Sequence, residues 1–178
     1  MTRILGLLFA AVIGLSACTD GTYTTSEGAR LYRLSGKNPS KVQFNMLDSV
    51  NALRQAHGAG PVELDAKLNA AAATHARDMS IQNRPWHFGS DGSSPLERVA
   101  RVGYQGKLSG ENISETYETE LETLGAWMQE EGTQQVILDP AAAHMGFAWF
   151  QEPNGKIWWT LVMGAPANTP SELADLQG

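Results

Sequence analysis

The hydrophobic period of this chain changes once, near residue 140, and that change restricts the fold more than any motif does. Upstream, apolar residues recur at helical spacing. "KVQFNMLDSVNALRQAHG" carries Met46, Leu47, Val50 and Leu53 along one face, and Gly58 offers a stop. A turn, "GAGPVEL", leads to "AKLNAAAATHARDMSIQN", with Asp65 as its N-cap. Leu68, Ala72, His75 or Ala76, and Met79 share a face whose alanines let another layer come close. Ser94 to Glu97 make a capping box with Pro95 at the first helical position, opening a short helix that ends at Gly103. "TYETELETLGAWMQEE" reads as a fourth helix with Tyr117, Leu121, Leu124 and Met128 on one side. Downstream, "HMGFAWF" and "IWWTLVMG" read as strands joined by "QEPNGK", where Asn154 and Gly155 supply a hairpin turn. Helices first and strands last predict an α+β domain with helices packed on an antiparallel sheet. Neighbouring Trp158 and Trp159 face opposite sides of such a sheet. One is expected in the core and the other exposed, as a contact for a ligand or partner.

The N-terminus carries a different signal. After Arg3, Ile4 to Leu15 form an apolar run too short to span a membrane, which needs about 20 residues, but suited to a signal-peptide core. The "LSAC" that follows, Leu15 to Cys18, resembles the lipobox of bacterial lipoproteins, in which the cysteine is lipidated and becomes the first mature residue. The plain alternative is a secretory signal whose cysteine falls near the cleavage site. Cys18 is the only cysteine, so no internal disulfide forms and the fold must rest on its core. The expected organisation is a lipoprotein signal at 1–17, a lipidated cysteine and flexible tether at 18–40, one domain at 41–166 and a tail at 167–178. Thr19 and Asp20 follow Cys18, so no aspartate comes directly after it. By the sorting rule of two-membrane bacteria this predicts an exported protein anchored in the outer membrane and facing the periplasm.

Charge narrows the partners. A net charge of −6 and a pI near 5.2 argue against nucleic acid. From Leu108 to Gly155 there are nine acidic residues and no lysine or arginine. Such a run is either a solvated helix face or a negative field that draws cations.

Common catalytic signatures are missing: there is no nucleophile elbow, no H-E-x-x-H and no phosphate-cradling glycine loop. With Cys18 lipidated, a Cys–His pair is excluded too. His87 in "NRPWHFGSDG", Glu111 in "SGENI" and the acids near Trp127 remain. His87 either packs between Trp86 and Phe88, donating to a carbonyl, or lines a cleft. Glu111 either fixes its loop or joins that cleft. His75 reads as an interior histidine, His144 as a surface one, and His57 as a helix C-terminal group aiding the last carbonyls.

At these residues the chain resembles the CAP superfamily of cysteine-rich secretory proteins, antigen 5 and pathogenesis-related 1, with its bacterial SCP-domain lipoproteins. "VNALRQAHGAGPVELDAKLNAAAATHARDM", "HFGSDGSSPLERVARVGY", "GENI", "LGAWM" and "MGFAW…WWTLVMG" match the family's segments in order. The resemblance implies an α-β-α sandwich with a cleft. In many members that cleft holds two histidines and two glutamates able to bind a divalent metal. His87 and Glu111 match the first of each, and Glu130, three residues after Trp127, matches the second glutamate. Helical periodicity favours Glu131 instead. Thr133 in "EEGTQQVIL" stands where the second histidine belongs, and with Asn112 it is expected to line the cleft. A threonine hydroxyl is a poor neutral ligand, so a divalent cation would be held weakly, or not at all.

Two functions follow. The first is a lipid-anchored cell-envelope module, attached to the membrane through its N-terminal lipid, whose degenerate cleft binds an apolar or lipid ligand or an envelope protein. The second is a metal-assisted hydrolase using His87 and Glu111. Binding is favoured and no catalytic residue is assigned, because catalysis needs several groups converging on one atom.

Overall fold

The computed structural model describes residues 22–24, 30–116 and 118–167. The signal-like run, Cys18, Tyr117 and the tail beyond residue 167 lie outside them.

The centre of the fold is strand β6 (Ile157–Ala165), every residue of which is buried. It belongs to a four-stranded sheet in the order β3-β5-β6-β4. Strand β5 (His144–Gln151) joins β6 through the expected hairpin. There Gly155 adopts φ +100°, open to glycine, and Glu152 and Lys156 close the turn. On the other side β6 pairs antiparallel with β4 (Lys107–Thr116). Strand β3 (Glu63–Leu64) lies parallel to β5, so the sheet is antiparallel apart from this two-residue edge. Sequence periodicity missed β4, because "KLSGENISET" lacks apolar alternation. Pairing with β6 makes it a strand.

Helices cover both faces. Helix α2 (Ala66–Gln82), capped by Asp65, and helix α3 (Pro95–Arg101), with the Ser94–Glu97 capping box, form one layer. The layer sits close: a Cβ on Gly146 would collide with the Leu68 backbone, and Ala71, Ala72 and Ala76 are buried on the inner face of α2. The other layer holds α1 (Pro39–Ala56), α4 (Glu120–Trp127) and α5 (Glu131–Leu138). The result is the α-β-α sandwich that the family resemblance implies.

Several expectations change. Trp158 and Trp159 do face opposite sides, but both are fully buried because both faces are covered. Trp158 packs with Ala76 and Met79, and Trp159 stacks on Phe147 at 5.4 Å. The fourth helix is two helices. A capping box at Thr119 and Glu122 starts α4 at Glu120, which turns Glu120, Thr123, Leu124 and Trp127 inward. Leu121, expected inside, is 46% exposed.

The tether is also shorter than predicted. Strand β1 (Thr22–Thr24) pairs with β2 (Arg30–Tyr32), and Tyr32 and Leu34 are buried in the core. The Tyr32 hydroxyl donates to buried Glu120 at 2.6 Å. The Gln151 amide accepts from the Leu34 N–H and donates to the Tyr32 carbonyl. Two apolar side chains within a Ser- and Gly-rich stretch suffice to fasten it, so the fold begins before residue 41.

Candidate functional site

Glu111 lies in the middle of β4 and points at the α2–α3 layer, nearly inaccessible to solvent. Burial works against its charge, but three neighbours outweigh that cost and hold its carboxyl below the ordinary range: the His87 hydrogen bond, the His75 ring and the Arg98 guanidinium. Arg98, buried on α3, donates from Nη2 to both carboxylate oxygens at 2.8 Å. Its Nη1 reaches the carbonyls of His87 and Ser93 at 2.9 and 3.1 Å, so one side chain fixes both the carboxylate and the loop carrying His87.

His87 Nδ1 lies 3.0 Å from Glu111 Oε1. With Nδ1–H donating to the carboxylate, Nε2 is left as a lone-pair acceptor with no hydrogen bond among the described residues. The ring is half exposed. The neighbouring aromatics do not enclose it. Trp86 and Phe88 contact each other at 5.5 Å, Arg84 stacks over Trp86 at 3.8 Å, and the Trp86 Nε1–H donates to Gln82. Phe88 is 48% exposed and Ile81, at the end of α2, is 72% exposed. Asp78 secures the far end of the loop by accepting from the Ser90 N–H and hydroxyl. The packed reading of His87 therefore gives way to a presented imidazole on a braced loop.

His75 is the fourth member. It is fully buried on α2, its Nε2 lies 3.0 Å from the Trp86 carbonyl, and Nε2 is 3.7 Å from Glu111 Oε1. Burial pushes its pKa down, against the pull of Glu111, so the ring is neutral at neutral pH. Arg98 is then the standing charge that balances Glu111. His75 Nδ1 has no partner.

The remaining predicted residues lie elsewhere. Successive residues of a strand point to opposite faces, so Asn112 turns away from Glu111. It is fully buried and donates to the Thr133 carbonyl at 2.8 Å. The Thr133 hydroxyl donates to the Trp127 carbonyl at 2.6 Å, bracing the turn between α4 and α5. Asn112 and Thr133 thus hold that turn together and do not line a cleft with His87. Glu130 stands exposed at the N-cap of α5 without a side-chain capping bond, and Glu131 is exposed as well. The helix breaks between α4 and α5, so the periodicity that favoured Glu131 does not carry through.

Among the described residues no group of three or more His, Cys, Asp or Glu is placed to hold a metal ion. The set His87, Glu111 and Glu130 does not assemble. The donors do not fit a resident divalent cation: Arg98 occupies both Glu111 oxygens, and the Thr133 hydroxyl donates to backbone.

Sequence reasoning missed Arg98 and gave His75 only an interior role. The available signal was an arginine four residues past a capping-box serine, on the inward side of a short helix. His144, read as a surface residue, is half-buried at the start of β5. Its Nδ1 lies 2.7 Å from the Tyr104 hydroxyl, in a ring contact at 5.8 Å. His57 caps α1 as expected, with Nδ1 2.8 Å from the Leu53 carbonyl.

Comparison with known proteins agrees with this architecture. The family model described as "Cysteine-rich secretory protein family" (CAP) matches residues 47–163. The YkwD protein of Bacillus subtilis (strain 168) is 29% identical over 140 residues, covering 79% of this chain and 54% of that protein. The membrane protein YlbC of the same strain is 27% identical over 101 residues, 57% of this chain and 29% of YlbC. The chain thus spans about half the length of one curated relative and less of the other. In structure it is similar to an outer surface protein of Borrelia burgdorferi, with TM-score 0.67 and 14% identity, covering 72% of this chain and 96% of that one. An extracellular SCP-domain protein of Bacillus anthracis gives TM-score 0.63 and 20% identity, covering 72% of this chain and 44% of that one. Sequence model and fold agree: this chain belongs to the CAP family of cysteine-rich secretory proteins.

Proposed function

We propose that this protein is an exported, lipid-anchored CAP module of the cell envelope, and that it binds an apolar ligand or an envelope partner at the His87 loop without transforming it. The observation that carries this reading is the state of Glu111. Arg98 claims both of its oxygens and His87 adds a third hydrogen bond, so no lone carboxylate is left to act as base. What the loop offers outward is recognition chemistry: a half-exposed imidazole with a free acceptor between Trp86 and exposed Phe88. The names of similar proteins, an outer surface protein and an extracellular protein, support export. The anchor rests on the lipobox-like "LSAC".

A second reading keeps one observation in its favour. A carboxylate bound to Nδ1 with Nε2 free is also how a general base or a metal-ligating histidine is oriented. Titration calorimetry with Zn²⁺, Mg²⁺ and Ca²⁺, on wild type, His87→Ala and Thr133→His, separates the two. A silent wild type, together with a Trp86 emission change on adding palmitate that His87→Ala or Trp86→Phe weakens, supports binding. Micromolar metal binding by wild type that vanishes in His87→Ala would sink it in favour of the hydrolase.

A further inference from the structure

We infer that the basic surface at the N-terminal end of α1, made by Arg33, Lys37, Lys41 and Phe44, rests on an anionic bilayer and sets the domain's orientation on the membrane. This rests on the proposed lipid at Cys18.

The first support is where the chain leaves the fold. Strand β1 runs antiparallel to β2 with Thr22 opposite Tyr32. Tyr32 is held by Glu120, and the Lys37 ammonium sits 4.4 Å above its ring. Thr22 therefore enters the fold opposite Tyr32, on the side where Lys37 sits. Four residue steps separate Cys18 from Thr22, a reach of at most about 14 Å. A lipid at Cys18 would bring this end of the molecule to the headgroups, and the effective tether is a few residues long.

The second support is charge. Residues 30–47 contain four of the 13 basic residues of the chain and none of its 19 acidic ones. Lys37 and Lys41 are exposed and share a hollow of about 280 Å³ with Asn38, Asn45, Tyr32 and Glu120. The one acid there, Glu120, is buried under the Tyr32 hydroxyl. Arg33 is half-buried beside the first turn of α1 and donates to the Pro153 carbonyl; it lines a second hollow with Glu152, whose carboxylate accepts from the Trp158 indole. Phe44, one turn beyond Lys41, is 55% exposed. An exposed aromatic ring one turn from Lys41, with Asp48 one turn further on, suits the edge of an anionic interface: each basic group near such a surface strengthens attachment severalfold, and an aromatic ring settles at headgroup level. Residues 108–155 carry nine acids and no lysine or arginine, so the surface they form is repelled by anionic lipid; the α2–α3 layer carries Lys67, Arg77, Arg84 and Arg101, and a label at Ile81 tests that layer as the rival face.

The test uses the full chain, purified from the envelope of the producing cells and reconstituted in vesicles. With Cys18 lipidated, Phe44→Cys or Ile81→Cys supplies the only free thiol for a fluorophore; Ile81 lies on the opposite helical layer. Lipid-borne quencher in vesicles about one-third phosphatidylglycerol is expected to quench the label at 44 several times more than the label at 81. The difference should vanish in pure phosphatidylcholine, in about 0.5 M salt, and in the triple variant Arg33→Glu, Lys37→Glu, Lys41→Glu. Equal quenching at both positions, or a difference that survives neutral lipid, overturns the docking surface. Mass analysis of the same preparation reports on the anchor. An unmodified Cys18 sinks the anchoring reading itself, whereas lipidated Cys18 with equal quenching sinks only the orientation.

Discussion

Both layers of the sandwich bury an arginine, and the two are handled in opposite ways. Under α1, Arg54 is fully buried and meets backbone only: its Nε reaches the Gly60 carbonyl, Nη1 those of Ile137 and Asp139, and Nη2 that of Ala142. It closes the C-terminal end of α5 and the loop beyond, where helix carbonyls lack partners. Under α3, Arg98 meets a carboxylate as well as two carbonyls, and its partner Glu111 passes the connection on to an exposed imidazole. The first arginine ends inside the protein. The second links the interior to the surface, which is why the α2–α3 layer holds the candidate site and the other layer does not.

The largest effect should come from cutting the ionic link. Arg98→Met strands a buried carboxylate and is expected to destabilise the fold by about 3–5 kcal/mol in urea denaturation. Adding Glu111→Gln should recover much of that loss. If the double variant is no better than the single one, the guanidinium acts on the loop carbonyls more than on Glu111. Arg54→Met is expected to cost about 3 kcal/mol by orphaning carbonyls, with the NMR chemical shifts of the His87 loop amides unchanged. Movement of those amides would show that the two layers are coupled.

The pH profile sharpens the comparison further. His75 has its pKa lowered from 6.5 on folding, so below about 6.5 the unfolded chain takes up the proton first. Its contribution to stability should be full above that pH and decline as pH falls toward the folded value. Glu111, also lowered on folding, adds a second loss as pH drops below 4.5. Thermal melts across pH should show both limbs in wild type, and His75→Gln should flatten only the upper one. The smallest expected effect on stability is that of His87→Ala, about 0.5–1 kcal/mol for one half-exposed hydrogen bond. A loss as large as that of Arg98→Met would make His87 a structural residue and remove it from the site.

Most of the helical framework was legible because its signals are local. Asp65, the Ser94–Glu97 box, Gly58 and the Asn154–Gly155 turn each act within a few residues, and each appears where the pattern placed it. Strand β4 was not legible, since its polar residues take strand form only by pairing with β6. The phase of α4 was misread for a related reason: a capping box at Thr119 decides where the helix starts, and that start rotates Leu121 outward.

The site divides along the same line. The sequence by itself determined that His87 and Glu111 are the residues to examine, that no histidine follows Gly132, and that a lone cysteine leaves stability to the core. Only the tertiary structure decided what those residues do. The pleat of β4 sends Glu111 to one layer and Asn112 to the other. The break after Trp127 leaves Glu130 exposed at a helix start. Closure of α3 against β4 brings in Arg98, which turns an expected metal ligand into half of an ion pair. These outcomes depend on contacts between residues distant in the chain, and no local spacing encodes which neighbour a buried carboxylate will meet.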